Sequence, residues 1–312
     1  MRHRVAWTVG GAGMAVALAL AVSGWGEEPG ALTNWQALVL GIVQGATELL
    51  PISSSGHLIL VPWLADWQYL QEHDEFNQTF DVALHLGTLV AVVAYFRHEV
   101  VAFTVAWFRT LRTRRLETAD ERLAWIVFVA TIPAVIAGGL GESWIADHLG
   151  EPWQIAILLG VFAVVLWLAD RRPQDRPMDR LGLGQALAVG VAQSLALAPG
   201  VSRSGITITA ARLLRLDRDA AARLSFLLLI PTVFGAVLFK GVTDVVLGDL
   251  PAGWQGPFLV GTLAAAVSGL VAIWALLGYV RRHDYTVFVV YRLIVAALVL
   301  LVIASGARGA GF

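Results

Sequence analysis

Long apolar runs alternate with short polar connections along this chain. A helix needs roughly 20 mainly apolar residues to cross a lipid bilayer. Runs of about that length predict membrane-spanning helices at about 5–25, 79–97, 122–140, 153–170, 220–240, 257–279 and 286–305. The pattern therefore predicts an all-α, polytopic helical membrane protein.

The composition agrees with this fold class. Of the 312 residues, 57% are hydrophobic and only 14% are charged, whereas soluble domains have about 25% charged residues. The chain contains no cysteine. Disulfides, thiolate catalysis and cysteine-ligated zinc are therefore excluded.

Two further apolar segments are each interrupted by a turn rich in proline and serine, and the two turns resemble each other. At a constant offset along the chain, the first segment's Gly41, Gln44, Ser53, Ser55 and Gly56 recur as Gly190, Gln193, Ser202, Ser204 and Gly205. Interrupted apolar helices at matching places in two halves of a membrane protein indicate a buried binding site. We therefore expect the chemistry of this protein to lie at these two turns.

Charged residues predict how the two interrupted segments enter the membrane. Arginine-rich connections alternate along the chain with acidic ones, and the arginine-rich ones are expected on the cytoplasmic side. Segment 35–66 begins and ends in acidic connections, while segment 183–214 begins and ends in basic ones. We therefore expect two re-entrant helical hairpins that enter from opposite faces, as part of two inverted-topology repeats.

Two regions lie outside this repeat. Residues 1–30 form an N-terminal apolar extension, either a signal peptide or an extra transmembrane helix, and residues 31–312 form the membrane-embedded domain. Residues 98–118 mix aromatic residues with arginines. That mixture is typical of an amphipathic helix on the cytoplasmic membrane surface.

The first turn carries a candidate acid and a run of hydroxyls. Gln44 and Glu48 are four residues apart and so share one face of a helix. An ionisable residue within a membrane hairpin is costly and suggests a function, although an interfacial cavity could also solvate it. Ser53, Ser54 and Ser55 follow at a helix start, where hydroxyls and free backbone N–H groups can bind an anion.

The second turn supplies a fixed positive charge. Arg203 stands where the first turn has Ser54, between Ser202 and Ser204, and Thr207 follows one turn later. A guanidinium stays protonated and can hold two phosphate oxygens at once. The alternative is an arginine whose charged end reaches the membrane interface. The pattern favours an acid and hydroxyls from one half and a cation from the other.

His57 and the choice of metal are less constrained by the sequence. His57 begins the helix after the first turn and could act as a general acid, a nucleophile or a structural hydrogen-bonding group. His85 is a weaker candidate because it lies in an ordinary span. One carboxylate, Glu48, beside a phosphate substrate suits a hard oxygen-binding cation such as Mg²⁺ or Ca²⁺.

These motifs closely resemble those of the undecaprenyl-diphosphate phosphatases, also called bacitracin-resistance proteins. The resemblance rests on residues 44–48, 51–57 and 199–207, and it spans about residue 33 to 305. It implies removal of the terminal phosphate from undecaprenyl diphosphate, which yields the lipid monophosphate that carries cell-wall precursors. It also implies a divalent metal, Mg²⁺ or Ca²⁺. Many members have Glu where this chain has Gln44, so a metal site with two carboxylates is not expected here.

The expected mechanism is phosphoryl transfer, with two schemes left open. Ser54 is the favoured nucleophile, with Glu48 as its base or as metal ligand and Arg203 on the phosphoryl oxygens. His57 is the rival nucleophile. The side chains that would bind the diphosphate are Gln44, Ser53, Ser55, Ser202, Ser204 and Thr207.

The inverted repeat also permits a second function, a transporter or flippase for a polyprenyl phosphate lipid. The expected partners are a polyprenyl diphosphate lipid and the bilayer, with no nucleic acid. A homodimer is possible because Gly261, Ala265 and Gly269 could pack a helix of the same or another subunit. The expected location is the bacterial inner membrane, with the site open to the outer face. The family resemblance also implies a role in bacitracin resistance.

Overall fold

The computed structural model describes residues 2–26, 30–67, 69–70, 73–241 and 253–311. The described residues form twelve α-helices, two short 3₁₀ turns and one isolated β-bridge. The α-helices are α1 (Arg2–Ser23), α2 (Asn34–Leu49), α3 (Ser54–Ala65), α4 (Asp74–Tyr95), α5 (Arg97–Thr113), α6 (Ala119–His148), α7 (Pro152–Asp170), α8 (Leu183–Ser194), α9 (Arg203–Leu213), α10 (Arg218–Lys240), α11 (Gln255–Val280) and α12 (Thr286–Ala304). The prediction of an all-α fold is confirmed.

Six of these helices are long and apolar enough to cross a membrane: α4, α6, α7, α10, α11 and α12. They correspond to six of the seven predicted spans. The remaining predicted span coincides with α1, of which residues 11–23 count as a shorter apolar helix. The chain is therefore a multi-pass membrane protein.

The two interrupted segments form helical hairpins. Helices α2 and α3 have 16 and 12 residues, and helices α8 and α9 have 12 and 11. All four are shorter than the roughly 20 residues of a spanning helix. Helix α2 ends before Leu50, which is extended (φ −75°, ψ 145°) because the residue before a proline avoids the helical region. Ala198, before Pro199, is extended for the same reason.

Helix α11 is the central packing partner of the first hairpin. It packs against α2, α4 and α1, and the contacts depend on small residues. A Cβ on Gly41 would lie 2.3 Å from the Gly261 carbonyl oxygen, and one on Gly45 would lie 2.4 Å from the Ala265 carbonyl oxygen. The predicted stripe of small residues on α11 therefore packs against a helix of the same chain, and the homodimer stays a prediction.

We expect Gly41→Ala to destabilise the fold, because its Cβ would meet backbone atoms that cannot move away. Overpacking of this kind costs about 1–3 kcal/mol. Thermal unfolding of the purified protein in detergent measures the effect. Gly278→Ala is the matched control, since Gly278 is also helical and a Cβ there would meet no atom of the described residues within 4 Å. Equal unfolding temperatures for the two variants would contradict the packing argument.

The flanking regions also pack on the helical body. Ala17 of α1 is fully buried in a cluster with Leu38, Val260 and Ala264. Helix α5 contacts α6, where Trp125 Nε1 donates to Thr110 Oγ1 at 2.9 Å. The division at residue 30 and the position of α5 at a membrane surface stay predictions.

Candidate active site

The two turns adopt the same unusual backbone conformation. Ser53 has φ 77° and ψ 96°, and Ser202 has φ 74° and ψ 115°. Positive φ in a non-glycine residue costs about 1–3 kcal/mol and persists only where the surroundings enforce it. Each serine also caps the helix that follows, since Ser53 Oγ accepts from Gly56 N and Ser202 Oγ accepts from Gly205 N. The repeat seen in the sequence is therefore also a repeat of local structure.

Hydrogen bonds between the turns bring the two hairpins together. Gly200 N donates to Ser53 Oγ at 3.1 Å, and Ser204 Oγ donates to the Leu50 carbonyl at 2.9 Å. Gly200 itself has φ 102°, and a Cβ there would lie 2.8 Å from the Ile155 carbonyl oxygen. Only glycine fits that position, because both the conformation and the close approach exclude a side chain.

Glu48 lies where the two hairpins meet, and it is 5% exposed. Its Oε1 accepts from Arg203 Nε at 3.0 Å, across 155 positions of sequence. Its Oε2 accepts a short hydrogen bond from Ser54 Oγ. The structure therefore places an acid, a hydroxyl and a cation from the two halves in direct contact. A carboxylate bonded to a serine hydroxyl can take its proton as that oxygen attacks an electrophile.

Two more side chains surround the Glu48 carboxylate. Gln44 Nε2 donates to Oε2 at 3.4 Å, and His85 Nε2 of α4 lies 3.6 Å from the same oxygen. The sequence pattern ranks His85 below His57 because it lies in an ordinary span. The structure places His85 beside the acid, a position that the periodicity of α4 alone does not reveal.

Arg203 has a free donor within the site. Its Nε binds Glu48, and its Nη1 donates to the Ser225 carbonyl at 3.0 Å. Its Nη2 is buried and has no hydrogen-bond partner among the described residues. A buried N–H group without a partner is costly, and a phosphoryl oxygen is a strong acceptor for it. The guanidinium is thus fixed by two of its nitrogens, and the third keeps N–H groups that an anion can accept from.

The oxygen atoms of Gln44 and Glu48 fit a hard cation whose remaining ligands would be phosphate oxygens and water. Gln44 Oε1 is buried without a partner in the described part of the chain, and it lies on the same helix face as the Glu48 carboxylate. Among the residues that the structure describes, no group of three His, Cys, Asp or Glu side chains could hold a metal. Amide and carboxylate oxygens suit Mg²⁺ or Ca²⁺, and phosphate oxygens and water commonly complete such sites.

His57 is occupied by other contacts. Its Nδ1 lies 2.7 Å from the Ser53 carbonyl oxygen, and its Nε2 lies 2.8 Å from the Tyr291 hydroxyl. The two rings are stacked, with their centroids 5.7 Å apart. Both ring nitrogens are therefore engaged in fixing the first turn rather than in binding Glu48.

The other predicted ligand side chains mostly join the turns to each other. Ser53, Ser202 and Ser204 are buried and bonded as described above, and Ser202 Oγ also lies 3.3 Å from Ser204 Oγ. Thr207 Oγ1 donates to Ser225 Oγ at 2.8 Å. Ser55 is half-buried. Their predicted contact with a diphosphate stays a prediction, and their present bonds hold the two turns in place.

Sequence reasoning missed two residues of α12. Tyr291 binds His57, and Arg292 is fully buried and donates to backbone carbonyls of both turns. A signal was present, because Arg292 is an ionisable residue inside a predicted membrane span, which by itself suggests a function.

The chain is similar to known proteins over most of its length. The family described as "Bacitracin resistance protein BacA" matches residues 37–298. A protein of Thermomicrobium roseum named undecaprenyl-diphosphatase is 48% identical over 283 residues, covering 88% of this chain and 99% of that protein. One of Gemmatimonas aurantiaca with the same name is 45% identical, with coverage of 88% and 99%. A protein of Stutzerimonas stutzeri named undecaprenyl-diphosphatase 2 is 46% identical, with coverage of 87% and 98%.

Proposed function

The chain belongs to the family of bacitracin resistance protein BacA, and on that premise we propose that it hydrolyses undecaprenyl diphosphate to undecaprenyl phosphate and inorganic phosphate. The alignments with the relatives named above span nearly the whole length of each relative. The observation that carries the assignment to this site is the contact of Glu48 with both Ser54 and Arg203. That contact combines a nucleophile, a base and an anion-binding cation.

Ser54 is the proposed nucleophile. Its Oγ bonds to the terminal phosphorus while its proton passes to Glu48, and the bond from that phosphorus to the bridging oxygen breaks. The electron pair stays on the departing lipid monophosphate. Water then attacks the phosphoserine, Ser54 Oγ leaves and regains the proton from Glu48, and inorganic phosphate is released. Such chemistry depends on positioning and on stabilisation of charge.

Arg203 is proposed to bind the phosphoryl group that is transferred. Its Nη2 has no hydrogen-bond partner among the described residues, while the bonds of Nε and Nη1 fix the plane of the guanidinium. A donor held in place before the reaction stabilises charge in the transition state without further reorganisation. The fixed Arg203 therefore supports a role in the chemical step and not only in substrate binding.

A divalent cation, Mg²⁺ or Ca²⁺, is proposed to be held by Glu48 and the free Gln44 Oε1. When bound, such a cation neutralises charge on the diphosphate. The amide of Gln44 contributes an oxygen without a second negative charge. Most of the affinity for the cation would then come from the substrate's own phosphates.

The geometry supports serine over histidine as nucleophile. Ser54 Oγ is bonded to the carboxylate that would receive its proton. Both nitrogens of His57 are committed to the Ser53 carbonyl and to Tyr291. The proposed role of His57 is therefore to hold the first turn in its strained conformation.

The proposed topology has the two hairpins re-entrant from opposite faces of the bacterial inner membrane. Helix α3 ends just before Asp66, which pairs with Arg308 beyond α12. Helix α9 ends near Asp170, whose carboxylate accepts from Arg212 Nε at 3.0 Å and from the backbone N–H of Tyr285. Tyr285 directly precedes α12, so α3 and α9 end at opposite ends of that helix. The first hairpin supplies the acid and the nucleophile, which favours a site open to the outer face. Such a site suits recycling of the carrier lipid for wall synthesis and resistance to bacitracin.

The transporter function is not favoured, because the relatives are named for a diphosphatase activity. The two functions differ in whether a bond to phosphorus is broken. A phosphate-release assay separates them directly.

We expect purified protein in detergent to release inorganic phosphate from undecaprenyl diphosphate in the presence of Mg²⁺ or Ca²⁺. EDTA should suppress the release, because the one positive charge of Arg203 is already paired with Glu48 and cannot offset the negative charges of a diphosphate, whereas a divalent cation can. Colorimetric phosphate detection measures the release with the cation and the release in EDTA. The Glu48→Gln variant is the control, since it keeps the side-chain shape but loses the base.

Release by Glu48→Gln at the wild-type rate would contradict the site assignment. A folded wild-type protein that releases no phosphate with either cation would contradict the function. Full activity in EDTA after exhaustive dialysis would remove the cation from the proposal and leave the Ser54 chemistry in place.

A further inference from the structure

Arg292 is a buried cation whose charge is not neutralised by a carboxylate. It lies within α12, its side chain has no exposed surface, and no ion pair among the described residues includes it. Burying a guanidinium is costly unless its N–H groups are hydrogen-bonded. The contacts that satisfy Arg292 therefore indicate what the residue does.

The acceptors of Arg292 are backbone carbonyls, and three of the four belong to the two turns. Its Nη2 donates to Gly200 at 3.0 Å and to Val201 at 3.1 Å, just before Ser202. Its Nη1 donates to Pro51 at 3.4 Å, two residues before Ser53. One planar group thus reaches the entry to both serine turns. The fourth bond runs from Nε to the carbonyl of residue 159 in α7 at 3.1 Å, which ties the group to the helical body.

The two turns need such support. Ser53 and Ser202 both have positive φ, a conformation that persists only where neighbouring contacts enforce it. The next residues along the chain are Ser54 and Arg203, which converge on Glu48. A small shift of either turn would therefore separate the hydroxyl from the guanidinium that must act on the same phosphate.

We propose that Arg292 is a positioning residue for phosphoryl transfer, which holds the two turns in register so that Ser54 and Arg203 face one phosphate. The inference rests on the proposed function. The neighbouring Tyr291 acts in the same direction, because its hydroxyl binds His57 and so fixes the helix that follows the first turn. Lysine cannot replace the arginine, since an ammonium is a point donor without the planar fork that spans both turns.

The experiment compares Arg292→Lys with a matched control, Arg212→Lys. Arg212 is also fully buried and also donates to backbone carbonyls, including that of Asp170 at 3.0 Å, but it lies at the end of α9 remote from Glu48. Both variants are purified in detergent, and only the monodisperse fraction is assayed. The readouts are kcat and KM for phosphate release, the Kd of a non-hydrolysable methylene-diphosphonate analogue, and the unfolding temperature.

For Arg292→Lys we expect kcat to fall about 100-fold, the size of effect that a misplacement near 1 Å causes, while KM and the analogue Kd change little. For Arg212→Lys we expect a lower unfolding temperature with kcat within about twofold of wild type. A kcat for folded Arg292→Lys near the wild-type value would overturn the inference. So would an equal loss of kcat in both variants, or failure of Arg292→Lys to fold where Arg212→Lys folds, because each would reduce Arg292 to a structural role. Wild-type turnover in the same assay separates these results from a failure of the proposed function.

Discussion

Replacing Ser54 by alanine is expected to lower kcat by roughly 10⁴-fold or more, since loss of a nucleophile removes the covalent route entirely. The bond from Ser54 Oγ to Glu48 Oε2 is the reason for choosing this hydroxyl over its neighbours. Ser53 Oγ is used by Gly56 N and Gly200 N. Single-turnover measurement of phosphate release by the purified variant gives the effect.

A direct test of the intermediate accompanies this prediction. Acid-quenched wild-type enzyme should carry phosphate on the peptide that contains Ser54, because phosphoserine survives acid whereas phosphohistidine does not. His57→Ala should lower kcat less than Ser54→Ala and still form the phosphoserine, since His57 supports the turn through Ser53 and Tyr291. Phosphate that is recovered only under alkaline conditions, on the His57 peptide, would contradict the serine scheme. So would rapid turnover by folded Ser54→Ala.

The two turns could be predicted from the sequence because their pattern occurs twice. The matching of Ser53 with Ser202 predicts two equivalent turns, and the structure gives both serines nearly the same φ and ψ. Apolar run length was enough to predict six spanning helices. The sequence pattern of each turn predicts its backbone conformation well, because a proline and a helix-capping serine restrict that conformation locally.

The contacts across the turns could not be predicted in the same way. The short bond between Ser54 and Glu48 and the 3.0 Å contact of Arg203 with Glu48 depend on how the two hairpins pack. The repeat predicts only that each half contributes groups to one site. The hydroxyls of Ser204 and Thr207 bond to residues of other helices and turns. These bonds depend on tertiary packing, which the spacing of residues in the sequence does not reveal.

Arg292 shows a different limit. A hydropathy window over 286–305 averages one arginine into a run of Val, Leu and Ile, so the span is predicted and the residue is overlooked. Its four carbonyl acceptors belong to three separate parts of the chain. An ionisable residue inside a predicted span is therefore a better pointer to a function than the mean hydropathy of that span.

Replacing Arg203 by alanine is expected to lower kcat by about 10³-fold or more, the range found when an arginine that stabilises a transferred phosphoryl group is lost. Arg203→Lys should recover only part of this, because lysine keeps the charge but cannot bind Glu48 and present a second donor in one plane. The second donor is Nη2, which has no hydrogen-bond partner among the described residues. Steady-state kinetics with saturating undecaprenyl diphosphate and Mg²⁺ measures the loss.

The control for Arg203 is Arg281→Ala. Arg281 is also paired with a carboxylate, that of Asp219 at 2.8 Å, but it is exposed and remote from the turns, so its loss should leave kcat near the wild-type value. A folded Arg203→Ala variant with kcat within about tenfold of wild type would show that the phosphoryl oxygens are stabilised elsewhere. If Arg203→Lys instead matched wild type, charge alone would suffice, and the fixed plane of the guanidinium would have no part in the reaction.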